Sequence, residues 1–457
     1  MALNLAPLPM DLFSAWNGSN EKRCKKVIVP LFMLAGTSAL TSALVEVSFK
    51  DILKDPDNVQ LNTDFARERL TDGDAKAALS AIERVLAQEP ANLPARLFRA
   101  RVLLALGSDL QAESELEALN IVPLPDNISS QITKMLNDVK RRKQRIRSQL
   151  SFRAGYVSGD NVNNFPTSGL AEINGRTTDF VSNNGARDFV DAVDDDGWLT
   201  GFTLYSELDL RNKRNDSIFA NITANRVTGS KSKFMDYDST SVSIGAQLDR
   251  FGWILRPSVS YVTVDSDTQP NTEVKAVSLS AERKLTPDTL LFANFSYNER
   301  DYAQTEIFSV ADNFDNETAA IVLGVAYALG KRTQLSVSVS LEDIAARLET
   351  AEYNAKETVS TTLGLRSIVF DGQVLSVSYR HGENNHKAVA EVSDRKREED
   401  INALSISYEL FGSIIHPALD GFRLVANYTK HEKDANIVQY ANDRKTQTLM
   451  LNYTKRF

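Results

Sequence analysis

From position 149 onward the chain alternates. In "LSVSVSL", Leu335, Val337, Val339 and Leu341 share one phase and Ser336, Ser338 and Ser340 the other. In "ALSISYEL", Leu404, Ile406, Tyr408 and Leu410 oppose Ser405, Ser407 and Glu409. Leu150, Phe152, Ala154 and Tyr156 alternate with Ser151, Arg153 and Gly155. A period of two places successive side chains on opposite faces of a strand. Fourteen strands are predicted, beginning near Gln149, Gly197, Ser217, Thr240, Ile254, Val274, Thr289, Ala319, Gln334, Thr358, Gln373, Asn402, Phe422 and Thr446.

The connections alternate as well. "RNKRND", "RFGW", "KLTPD", "LGKRT" and "FDG" are short and "FGSIIHPALDG" is longer; between them fall long polar stretches such as "NERDYAQTEIFSVADNFDNE" and "HGENNHKAVAEVSDRKREED". Short turns and long loops over an even strand number predict a transmembrane β-barrel, apolar outside and polar inside. Lipid offers the backbone no hydrogen-bond partner, so the sheet must close and its last strand must pair with its first. Leu449, Leu451, Tyr453 and Phe457 are therefore expected on the outward face of the closing strand, with Phe457 at the membrane interface as part of an assembly signal. Lys455 departs from the apolar residue such a signal prefers. Trp198, Trp253, Tyr156, Tyr261, Tyr327 and Tyr453 are candidates for the interfacial girdles. Arg153, Glu207, Asp209, Arg226 and Arg380 are candidates for the lumen. Pro257 removes a ladder bond, and a bulge near "RFGW" is expected to absorb it.

Before the alternation, the spacing is helical. Two stretches align on a period of 34 residues, with Gly73 matching Gly107, Ala78 matching Ala112, Ile82 matching Leu116 and Val85 matching Leu119. Pro90 ends the first, and Pro123 ends the second one position early. A glycine between two helical runs, with a small residue where helices must approach, resembles the tetratricopeptide repeat. Residues 126–147 read as a further helix that caps the stack. Its basic end, "KRRKQRIR", suits a helix C-terminus or lipid headgroups. Leu97, Arg101 and Leu104 are the candidate partner-binding groove, on the usual concave positions of such repeats.

Residues 1–45 carry the layout of a secretory signal: Lys22, Arg23, Lys25 and Lys26, an apolar run from Val27, then small residues with Thr37/Ala39 or Thr41/Ala43 as cleavage positions. The other reading of the run is a membrane anchor or a buried helix. The single cysteine, Cys24, precedes the run, so a cleaved chain holds no disulfide. The expected domains are thus 1–45, a signal region; 46–148, a periplasmic helical domain; and 149–457, the barrel.

Composition excludes several classes. The 457 residues carry a net charge of -8, without the basic excess of a nucleic-acid binder. The mean hydropathy of -0.27 looks soluble, but lumen and lipid faces cancel in such an average. His381 and His386 lie five apart in "HGENNH", a poor metal spacing, and no phosphate-binding glycine loop or nucleophile motif is visible. No cofactor, metal site or enzymatic activity is expected.

The first predicted strand and its exit read "SFRAGYVSGDNVNNFP". Gly155-Tyr156 followed by Asp160-Asn161-Val162-Asn163 is similar to the barrel start of the surface lipoprotein assembly modulator (Slam) family. The order of signal, short tetratricopeptide domain and fourteen-stranded barrel agrees with it. The resemblance implies an outer-membrane protein that moves clients to the cell surface. These are surface lipoproteins or secreted haem- and metal-acquisition proteins. The implied partners are the client, a periplasmic chaperone, outer-membrane lipids and the barrel assembly machinery. Short turns then face the periplasm, and the repeats hang there beside the start of the first strand. The other functional readings are a general porin and an exopolysaccharide export channel. Against the latter stand the small number of repeats and the mixed charge of the lumen candidates.

Overall fold

The computed structural model describes residues 49–173, 176–179, 192–212, 214, 216–304, 310–389 and 393–457. The expected signal region, with Cys24, lies outside them. The chain divides into two units between Gln144 and Arg145.

The first unit is helical: α1 (Phe49–Lys54), α2 (Val59–Thr71), α3 (Ala75–Gln88), α4 (Leu93–Leu106), α5 (Asp109–Asn120) and α6 (Asp126–Lys143). Starts are set by side-chain caps. Asn58, Asp74 and Asn92 accept hydrogen bonds from the backbone N–H groups of Leu61, Ala77 and Ala95, satisfying donors the helix cannot pair. The aligned positions of the two repeats are structurally equivalent. Gly73 and Gly107 both turn the chain at positive φ, 82° and 74°, which a Cβ would strain. Ala78, Ala112, Ile82 and Leu116 are fully buried, and Val85 and Leu119 nearly so. The capping helix is shorter than expected. α6 stops at Lys143, and Arg145 and Arg147 belong to the barrel, where Arg147 pairs with Glu207 at 3.1 Å. Ile132, Leu136 and Val139 of α6 pack on Leu116 and Leu119.

The second unit is a closed antiparallel barrel of fourteen strands. They are β1 (Ile146–Gly159), β4 (Asp195–Asp209), β5 (Ser217–Gly229), β6 (Tyr237–Arg250), β7 (Trp253–Ser266), β8 (Thr272–Lys284), β9 (Thr289–Tyr302), β10 (Asn316–Leu329), β11 (Thr333–Ala346), β12 (Lys356–Phe370), β13 (Gln373–Val389), β14 (Lys396–Phe411), β15 (Phe422–Ala435) and β16 (Asn442–Arg456). A small hairpin, β2 (Leu170–Ile173) and β3 (Arg176–Asp179), lies in the loop after β1. Among the described residues no helix is long and apolar enough to cross a membrane.

Each predicted strand is present, and several begin earlier than expected. β1 starts at Ile146, because Ile146 already pairs with Leu208. β14 starts at Lys396, well inside the stretch read as loop. Charge is compatible with a strand once the hairpin has left the lipid, so the outer hairpins continue into water. There they carry ion pairs across strands, such as Lys275 with Asp301 at 3.4 Å. "HGENNH" is likewise strand, and its odd spacing puts His381 on the exposed outer face and His386, buried, on the lumen face.

The alternation sorts as lipid face and lumen. Leu335, Val337, Val339 and Leu341 are exposed on the outside, as are Leu323, Leu363 and Leu451. This band would be costly in water and is matched to hydrocarbon. Its aromatic edges are Tyr156, Trp198 and Tyr261 towards the long loops, and Trp253, Tyr327 and Tyr453 towards the short turns. Arg153, Glu207 and Arg380 are on the lumen phase. Arg226 is a correction: its register opposite Thr200 and Asp238 places it on the outside, where it makes a two-pronged ion pair with Asp238 at 2.6 and 2.5 Å. Pro257 needs no bulge. The β6–β7 ladder has no pairs between Gly245–Ser258 and Leu248–Leu255 and resumes in the same register, so the missing N–H is absorbed by a gap.

Candidate functional site

The barrel closes where β1 meets β16. Eleven registered pairs run from Gln149–Arg456 to Gly159–Thr446. Ser148 and Phe457 add two reciprocal backbone bonds of 3.4 and 2.8 Å, and the hydroxyls of Ser151 and Thr454 meet at 3.0 Å. The seam is therefore a continuous ladder, with Leu449, Leu451 and Tyr453 directed outward.

Gly155 lies inside that ladder. A Cβ at this position would come within 2.5 Å of the Leu449 carbonyl and 2.7 Å of the Met450 side chain. The two strands pass too closely there for any other residue without displacement. Its neighbour Tyr156 packs edge-on against Trp198 of β4, with ring centroids 5.6 Å apart.

Asp160, Asn161 and Asn163 follow at the outer end of β1 and form a latch across the seam. Asp160 donates its N–H to the Lys445 carbonyl, its carboxylate accepts from the Lys445 N–H, and it pairs with the Lys445 ammonium at 3.4 Å. Asn161, in the left-handed region at φ 48°, is buried. Its amide nitrogen donates to the carbonyls of Phe165 and Asp443 at 2.9 and 2.8 Å, and its oxygen accepts from the Phe165 N–H at 2.6 Å. Asn163 accepts from the Val193 N–H at 3.0 Å, reaching the segment just before β4 on the other side. The three polar residues thus tie β1 to both neighbours. Further along the loop, Glu172 meets Gln439 and Arg395, in the loops after β15 and β13.

The sequence reading missed a buried polar cluster on the lumen side, above the lipid band. Glu399 accepts from Asn384 at 2.7 Å and pairs with Arg397 at 3.2 Å and Lys433 at 3.5 Å. His386 Nε2 accepts from Arg397 Nε at 2.8 Å, and its Nδ1 lies 2.9 Å from the Tyr353 carbonyl. That pattern fits a neutral imidazole with its proton on Nδ1. Glu399, 3.9 Å away, is too far for a hydrogen bond. Burial raises the Glu399 pKa, but the surrounding cations Lys433, Arg397 and Lys356 override it and hold the carboxyl well below its usual range. Burial, with Arg397 nearby, pushes His386 down. The signal was present as adjoining basic and acidic residues in "KREED", but a segment without a visible hydrophobic phase does not say that Arg397 and Glu399 share a face.

In the helical unit, Leu97, Arg101 and Leu104 do not line an open groove. Leu97 is buried with Ala100 among α5 and α6 residues, Leu104 packs on the same cluster, and Arg101 donates to Gln131 of α6 at 2.9 Å. A cleft lies instead against α3, α4 and α5, lined by Glu83, Leu86, Pro90, Arg96, Arg99 and Glu115. Glu115 there accepts from Arg96 at 2.6 Å and Arg99 at 2.9 Å. Among the described residues no cluster of His, Cys, Asp and Glu could hold a metal ion.

Residues 69–121 match the tetratricopeptide repeat family. No curated protein sequence matches the chain. Solved structures with some likeness include OccAB4 of Acinetobacter baumannii, at 10% identity and TM-score 0.34, covering 69% of this chain and 100% of that one. Others are the outer membrane protein opdK of Pseudomonas aeruginosa, at 9% and 0.32, covering 68% and 99%, and a loop L8 deletion mutant of OmpT of Vibrio cholerae, at 8% and 0.35, covering 67% and 99%.

Proposed function

We propose that this protein is an outer-membrane translocation component that delivers client proteins to the cell surface, with its repeats recognising the client or its chaperone in the periplasm. The observation that carries the reading is one chain joining tetratricopeptide repeats to the short-turn end of a closed fourteen-strand barrel. A diffusion channel needs no recognition module, whereas a translocator must select its cargo before the cargo reaches the membrane. The turn at Asp160, Asn161 and Asn163, on which the Slam resemblance rests, has a built structural role, which supports the likeness beyond a polar loop of chance composition. In the usual barrel topology the short turns face the periplasm, and the repeats would lie on that side too. Clients would be surface lipoproteins or secreted haem- and metal-acquisition proteins. The barrel assembly machinery would insert the barrel. The closed seam requires that any lateral exit first break the ladder and the latch.

The test is co-expression, in a bacterium lacking the protein, with a lipoprotein or secreted protein encoded beside its gene. Client exposure is read by antibody on intact cells and by protease shaving. Full-length protein should expose the client, and a version lacking residues 49–143 should not. A client retained inside, together with faster uptake of small solutes, would establish the porin reading, which the polar lumen of Ser, Thr and Asn also favours.

A further inference from the structure

Arg444 of β16 pairs in register with His431 of β15, His431 with Ala403 of β14, and Ala403 with Arg380 of β13. All four are on the lumen phase and form one transverse row at the outer edge of the lipid band. Directly opposed side chains on a sheet sit about 5 Å apart, so His431 adjoins Arg444, and the two permanent cations, Arg380 and Arg444, stand three strands apart on one wall. Ala403 leaves space between them.

The row contains no carboxylate. Among the described residues neither Arg380 nor Arg444 forms an ion pair. Arg380 donates from Nε to the Ser360 hydroxyl at 3.1 Å, and Nε of Arg444 is buried without a partner. Lys433, one step further out, lies close enough to His431 to act on its charge, as do Arg380 and Arg444. Of the carboxylates nearby, Glu399 is engaged by Asn384, Arg397 and Lys433, Asp160 pairs with Lys445 and lies within electrostatic reach of Arg444, and Asp443 lies within reach of His431. Arg153 is deeper on the same wall, and Tyr237 lies within electrostatic reach of both Arg153 and Arg444.

Two permanent cations facing one lumen, with an imidazole and the small Ala403 between them, favour something negative in that space. A barrel of fourteen strands is too wide for its side chains to fill, so water and ions reach the wall. A low-dielectric wall focuses the field, and rings of Arg and Lys pass anions in preference to cations. We infer that Arg380, His431 and Arg444 form an anion-binding row in the lumen, which makes the barrel selective for small anions such as chloride and inorganic phosphate. This does not rest on the client-delivery reading: it concerns what the lumen admits.

The experiment uses purified full-length protein in a planar bilayer under a KCl gradient, read as the zero-current potential. The wild type should give the sign for chloride preference, and added inorganic phosphate should lower its chloride conductance. The double variant R380Q/R444Q should lose most of the preference, a severalfold fall in the chloride-to-potassium permeability ratio, and most of the phosphate effect. R226Q, on the outer face, should leave both unchanged. Heat-modifiable migration on gels confirms that each variant is a folded barrel. If R380Q/R444Q does not fold, the sign of the wild-type potential and the phosphate effect still decide. Cation preference, a barrel that conducts no ions, or a folded R380Q/R444Q with unaltered selectivity would each overturn the inference.

Discussion

The side-chain amide of Asn161 donates a hydrogen bond to the carbonyl of Asp443, a residue 282 positions later, at 2.8 Å. One buried side chain thereby joins the exit of the first strand to the entry of the last, and its other bonds fold the intervening loop. N161A should remove all of these bonds and strain the backbone at φ 48°. Leaving the buried partners unsatisfied costs about 1–3 kcal/mol. The expected outcome is a lower temperature for loss of heat-modifiable migration. An unchanged transition would mean the latch does not hold the seam.

Gly155 tests closure more directly. G155V puts a branched side chain where even a Cβ meets the Leu449 carbonyl at 2.5 Å. The barrel should assemble poorly, with the folded band on gels sharply reduced. A glycine in an open stretch, Gly330, where nothing lies within 4 Å, should tolerate Asn far better.

Overpacking should separate the two units. A112L forces a large side chain into a fully buried position where α5 packs on its neighbours. A cost of about 1–3 kcal/mol is expected. Helical circular dichroism should melt earlier, while the barrel band stays as in the wild type.

The outer cluster predicts a pH dependence. His386 is held below the ordinary value, so the unfolded chain binds its proton first as pH falls through about 6.5. Stability contributed by the neutral imidazole is therefore present above that pH and lost below it. Glu399 is held low, so its contribution is present above about 4.3, the usual value for Glu, and lost on further acidification. The thermal transition should fall in two stages from pH 7 to pH 3. H386N should flatten the upper stage and E399Q the lower one. E399Q should also destabilise at pH 7, since it leaves Arg397 and Lys433 without their charge partner; breaking a buried pair costs about 3–5 kcal/mol.

Both fold classes could be read from periodicity alone. A period of two reports only local geometry: which face each residue takes. That made the lipid and lumen faces legible from Leu335 to Leu341 without a structure. The helical repeats were legible for the same reason, because Gly73 and Gly107, or Ala78 and Ala112, answer constraints set within a few residues. Phase failed where a strand was mistaken for a loop or its register was miscounted, as at "KREED", "HGENNH" and Arg226. What only the tertiary structure decided is everything set by pairing between distant strands. No local pattern shows that Asn161 reaches Asp443, that Glu399 collects Arg397 and Lys433, or that Arg380, His431 and Arg444 share a row. Those facts depend on register and shear, which closure of the whole sheet determines, and on α6 packing over Leu97. The sequence by itself determined the elements and their faces; the closed barrel decided which of those faces meet.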